Sequence, residues 1–135
     1  MRKDGNMMKN VEKNAKGPEF DLYDRICVEL RKIGVPAHLR GYAYLAEAVV
    51  LTVQQPETIH HMTAGLYPSV ARKYHTTPGG AERAMRHAVE AAWMRGKPEV
   101  LSGYFGNTIS SRKGKPVNSE FIAQISEVLR REVAA

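Results

Sequence analysis

Arg83 and Arg86 stand three residues apart in PGGAERAMRHAVEAAWMR, residues 78–95. A guanidinium can give two parallel hydrogen bonds to O6 and N7 of guanine, the commonest specific contact in a DNA major groove. At about 100° per residue, Ala81, Met85, Ala88, Val89 and Ala92 point one way, and Glu82, Arg83, Arg86, His87 and Glu90 point the other. Both arginines fall in the first turns, where a recognition helix reaches base edges, and Glu82 beside them can accept from a cytosine amino group. The same spacing also describes a solvated helix face with Glu82–Arg86 and Arg86–Glu90 pairs at i,i+4. Spacing alone leaves both readings open.

The segment that must position this helix precedes it. Tyr67 to Tyr74 reads as a short helix with Val70, Ala71 and Tyr74 on one face, stopped at His75-Thr76-Thr77-Pro78. Thr77 is the expected N-cap, and Pro78 suits the first helical position because its missing donor would be unpaired anyway. Two helices joined by such a turn make a helix-turn-helix. His87, Arg72, Lys73 and Thr77 are then expected to set the domain on the duplex through phosphate contacts, which orient without reading sequence. The loop SSRKGK adds Arg112, Lys113 and Lys115 beside a glycine, as a phosphate-neutralising loop or as a solvated basic one.

Around this pair the chain supplies scaffold. Asp21 to Ile33 reads as a helix with Leu22, Ile26, Val28, Leu30 and Ile33 as an approximate apolar face, ended by Gly34. A second helix is expected from about His38 to Gln54, a short one from Pro56 through His61 and Met62, another from Pro98 to Phe105, and a last from Ser119 to Glu132. Asn118 is the expected N-cap of the last, with Glu120 near its positive end, and Phe121, Ile122, Ile125, Val128 and Leu129 form a core or dimer face. No run reads as a strand, so the expected fold is all-α, a compact bundle of about six helices containing a helix-turn-helix.

Bulk properties narrow the chemistry. At 135 residues the chain has the length of one domain, expected over residues 20–135, behind a polar, lysine- and asparagine-rich arm over residues 1–19 that is disordered or tag-like. Twenty Lys and Arg against 14 Asp and Glu give +6, which favours a polyanionic partner. The single cysteine, Cys27, permits neither an intramolecular disulfide nor a cysteine-based zinc site, and reads as core packing. His60-His61 are helix neighbours about 100° apart with no acidic or cysteine partner at i+4, so no metal and no cofactor is expected. No phosphate-binding P-loop, nucleophile elbow or His-Glu-x-x-His motif is present, which argues against an enzyme. Neither a membrane span of roughly 20 apolar residues nor a signal peptide is visible, and a cytoplasmic protein is expected.

Four stretches in register carry a more specific signal: GVPAHLRGYAYLAEA (34–48), LYPSVARKYHTT (66–77), ERAMRHAVEAAWMRG (82–96) and KPVNSEFIA (115–123). They closely resemble the DNA-binding effector domain of the sporulation initiation response regulators, with the likeness running over about residues 20–132. The resemblance implies a transcription regulator on double-stranded DNA, recognising a short TGTCGAA-type box, often in tandem copies bound by head-to-tail pairs. It also implies contact with the housekeeping sigma factor of RNA polymerase through Ser102, Phe105 and Ile109, although the sequence departs from the family around 97–103. Where the family usually has Ser and Arg or similar residues, this chain has Gly79 and Gly80, which removes side chains near the readout face. No receiver domain is expected in the 135 residues, hence no aspartate phosphorylation switch, as in a cut-out piece or a free-standing relative. The rival reading is an interaction module working through the 98–109 surface. A third, weaker one is nonspecific nucleic-acid binding driven by net charge.

Overall fold

The computed structural model describes residues 18–106 and 114–134. Among the described residues six α-helices follow in order: α1 (Pro18–Ile33), α2 (Arg40–Gln54), α3 (Tyr67–Tyr74), α4 (Pro78–Arg95), α5 (Pro98–Phe105) and α6 (Asn118–Ala134). No strand occurs among the described residues, and no helix there is long and apolar enough to cross a membrane.

α1 ends as a glycine-terminated helix should. Gly34 adopts φ 107°, its N–H donates to Arg31, and the Val35 N–H reaches back to the Leu30 carbonyl at 3.0 Å. That pair of bonds is a Schellman motif, which satisfies carbonyls the helix end would leave open. α2 starts at Arg40, two residues later than the expected His38, because Leu39 stays extended (φ −82°, ψ 144°) while its N–H closes a turn onto Pro36. The connection after α2 is also more varied than a single short helix. Pro56–His60 forms a 3-10 turn, His61 breaks it, and Met62–Leu66 forms a π turn in which the Leu66 N–H bonds the His61 carbonyl at 2.9 Å. His60 and His61 are exposed.

α2 runs through the centre and packs most extensively on α4, α6 and α1. Leu45, Ala46, Ala48 and Val49 from α2 meet Ile26, Leu30 and Ile33 from α1, the apolar stripe of α4, and Phe121, Ile122, Ile125 and Leu129 from α6. The last set is therefore core rather than a dimer face, with Val128 only partly buried. Val28 departs from the expected face of α1 and is exposed, while Cys27 is partly buried against the core. Where α2 crosses α4 the backbones nearly touch: a β-carbon built on Gly41 would lie 2.1 Å from the Ala84 carbonyl oxygen. Trp93, Phe105 and Phe121 close the far end, with ring centroids 5.0 Å apart for Trp93–Phe105 and 5.5 Å for the stacked Phe105–Phe121 pair.

Candidate nucleic-acid interface

α3 and α4 form the helix-turn-helix. Val70 and Ala71 bury the inner face of α3, and Tyr74 packs its ring 5.1 Å from that of Tyr44 on α2. The turn is made by His75 at φ 57°, ψ 47°, from which the Thr76 N–H returns to the Ala71 carbonyl at 2.9 Å. Thr77 is extended, and its hydroxyl oxygen accepts the Gly80 N–H at 2.9 Å, the N-cap its sequence position predicts. That bond uses the oxygen as acceptor and leaves the hydroxyl hydrogen available to an outside acceptor such as a phosphate. Pro78 then occupies the first turn.

On α4, Ala81, Met85, Ala88, Val89 and Ala92 are all buried, while Arg83, Arg86 and His87 are exposed, so the separation read from the sequence is the one the helix adopts. Arg86 is paired: its Nε donates to Glu82 at 3.1 Å and Nη2 at 3.4 Å. The Glu82 carboxylate holds the guanidinium pKa above its ordinary value and fixes its orientation. The Arg83 side chain has no hydrogen bond or ion pair with a described residue. Glu90, instead of pairing with Arg86, lies 3.9 Å from Lys115. The residues expected to contact phosphates differ in commitment. Lys73 is held 2.8 Å from Glu47 and over the Tyr74 ring, and Arg72 donates to Ser69 at 3.3 Å. Arg112 and Lys113 lie outside the described residues.

The two glycines are not equivalent. A β-carbon at Gly79 would meet nothing closer than the Arg83 guanidinium at 3.9 Å, so a side chain is tolerated there. One at Gly80 would sit 2.7 Å from the Thr76 hydroxyl and 3.1 Å from that of Thr77, crowding the cap.

Asn118 corrects an expectation. It does not cap α6; its side-chain amide donates to the Tyr67 hydroxyl at 3.1 Å and to the Glu82 backbone carbonyl at 3.2 Å, tying the start of α6 to both helices of the motif. The cap is instead the Val117 N–H bonded to the Glu120 carboxylate at 2.9 Å, the reciprocal half of a capping box. Beside this junction an open cleft of about 470 Å³ runs between the π turn, α4 and α6, with Glu82, Arg86, Glu90 and Lys115 on its walls. Burial and the Glu82 charge raise the Tyr67 hydroxyl's pKa, while the Asn118 bond opposes them. Sequence reasoning missed Tyr67, Asn118 and Glu47, whose roles come from contacts between segments far apart in the chain.

Residues 26–129 match the family described as sporulation initiation factor Spo0A C terminal. The chain belongs to this family. It is thereby a DNA-binding effector domain of sporulation regulation.

In this Spo0A C-terminal domain, the three positions assigned above to a polymerase-facing surface separate. Ser102 is exposed on α5, and Ile109 lies outside the described residues. Phe105 cannot serve as a surface contact: it is 2% exposed and wedged between Trp93 and Phe121. Its role is to hold α5 on the core. Tyr104 next to it bonds the buried Glu29 carboxylate of α1, and its carbonyl accepts from Gln124 of α6 at 2.8 Å, so α5 is fastened to two helices.

Proposed function

We propose that this effector domain reads a TGTCGAA-type box with α4 in the major groove, Arg83 and Arg86 bonding guanines. Glu82 steers Arg86 and offers its remaining lone pairs to a cytosine amino group. The single observation that best supports the reading is the state of the Arg83 side chain: exposed on the second turn of α4, without a partner among the described residues, on a helix whose opposite face is wholly buried. A structural surface arginine would gain by pairing; one held ready for a base edge stays open. Thr77, His87, Arg72 and Lys115 would position the domain on phosphates, and Lys73 would join them only by sharing Glu47. Arg112 and Lys113 extend the same basic loop. Tandem boxes would take two domains head to tail, and the exposed part of α5 around Ser102 would meet a sigma factor. Work of this kind is done at the nucleoid in the cytoplasm, and it is binding rather than catalysis.

The test is a titration of a labelled tandem-box duplex and a scrambled duplex with wild type, Arg83→Ala and Arg86→Ala at one fixed salt. Each variant is expected to lose about 1–3 kcal/mol on the box and little on the scrambled duplex. Equal losses on both would reduce the arginines to phosphate contacts. Unchanged binding to a protein partner with both charges removed, and no box preference, would favour an interaction module instead.

A further inference from the structure

A second basic feature flanks the recognition helix. Between the start of α2 and the turn of the helix-turn-helix lies a concavity of about 410 Å³ lined by Arg40, Ala43, Tyr44, Tyr74, His75 and Thr76. We propose that it seats the phosphodiester backbone of the bound duplex, with Arg40 as its cation and the His75 and Thr76 side chains as further donors. Occupancy of this seat rests on the DNA-binding reading and adds to it a backbone site outside the recognition helix.

Four observations converge on it. No carboxylate lines this concavity, whereas the larger cleft on the other flank of α4 carries Glu82 and Glu90. The side chains of Arg40 and His75 are both exposed and make no hydrogen bond or ion pair with a described residue, unlike those of Arg86, Arg72 and Lys73. Arg40 is placed against stability, as the first residue of α2 with no acidic residue in that first turn, where the positive end of the helix disfavours a cation. A duplex phosphate would supply the missing negative charge. Finally, the location is right. Gly41, the next residue, presses on the Ala84 carbonyl and Ala88 β-carbon of α4. Arg40 therefore enters the fold beside the flank of α4 nearest His87 and Arg83, and at the turn that precedes the groove-reading end. His75, held at positive φ although it carries a β-carbon, stands on the same rim; strained backbone of this kind concentrates at ligand sites.

The experiment is the salt dependence of binding to the tandem-box and scrambled duplexes for wild type, Arg40→Gln and His75→Gly, with thermal melts of each protein alone. Arg40→Gln is expected to weaken both duplexes equally, by about three- to tenfold near physiological salt, and to make the slope of log K against log salt shallower by about one. Its melting temperature should stay the same or rise, since an unfavourable helix-end charge is removed. His75→Gly should melt higher yet bind both duplexes more weakly, a divergence that a purely structural role would not produce. Unchanged affinity and slope in Arg40→Gln, while wild type still prefers the box, would overturn the seat and leave the DNA-binding reading standing. A loss confined to the box would also overturn it, since Arg40 would then be reading a base. Absence of any box preference in wild type would bring down the DNA-binding reading and the seat with it.

Discussion

At His75 the chain turns from α3 into α4 through a left-handed conformation in which a β-carbon crowds the neighbouring carbonyl oxygen. Glycine has no β-carbon, so His75→Gly is expected to stabilise the free domain by roughly 0.5–1 kcal/mol, the relief exceeding the entropy that glycine adds to the unfolded chain. Urea midpoints of the two proteins measure it, and a lower midpoint for the variant would show that the histidine makes a contact that outweighs its strain. His75 was legible only as part of a helix stop. Its backbone angle follows from where α3 and α4 dock on α2. Arg83 and Arg86 were legible, because a helical period of 3.6 separates them from a stripe of Ala, Met and Val whichever way the rest folds. Of the two pairs that the spacing offered on that face, Glu82–Arg86 forms, while Glu90 lies nearer Lys115. Asn118 was not legible, since the Tyr67 hydroxyl and Glu82 carbonyl it joins stand 51 and 36 residues away. Phe105 was misplaced for a similar reason: only the positions of Trp93 and Phe121 decide that it points inward.

Among the elements, the crossing of α2 over α4 sets where the recognition helix stands. Gly41→Ala would drive a β-carbon into the Ala84 carbonyl, a backbone atom that cannot turn aside, so the helices must separate. A cost of about 2–3 kcal/mol is expected, at the upper end for overpacking, together with weaker box binding as α4 shifts against α3. Thermal melts and the same duplex titration check both; wild-type stability in the variant would mean that the two helices are free to slide. Helix types and most bounds were readable from caps: Pro78 and Thr77 for α4, Pro98 for α5, Gly34 for α1. The π turn at Met62–Leu66 was not, because nothing in MTAGL distinguishes a five-residue loop of hydrogen bonds from an ordinary helical turn; the docking of Leu66 into the core decides it. The start of α6 was readable to within one residue, but the capping side chain belongs to Glu120 and not to Asn118.

For the whole molecule, tyrosines tie stability to alkaline pH. Burial, ahead of neighbouring charges and hydrogen bonds, raises the hydroxyl pKa of Tyr23, Tyr42, Tyr67 and Tyr104 above the ordinary 10.0. A folded pKa above the unfolded one favours the protonated form in the fold, so this contribution is complete below about pH 10 and is lost as pH climbs toward the folded values. The melting temperature should therefore fall steeply above pH 10, alongside a delayed rise in tyrosinate absorbance relative to the unfolded chain; a flat profile to pH 11 would contradict it. The all-helical class and the excess of six positive charges were visible from composition and period alone, while the division of cations into paired and unpaired ones needed the fold. That division bears most on the central claim. The direct test is fluorescence anisotropy of the wild-type domain with a tandem TGTCGAA-type duplex against a scrambled one, at one salt near physiological. A preference on the order of a thousandfold is predicted, as specific binders typically show; equal affinities would contradict sequence reading by α4 and reduce the domain to a basic surface for DNA.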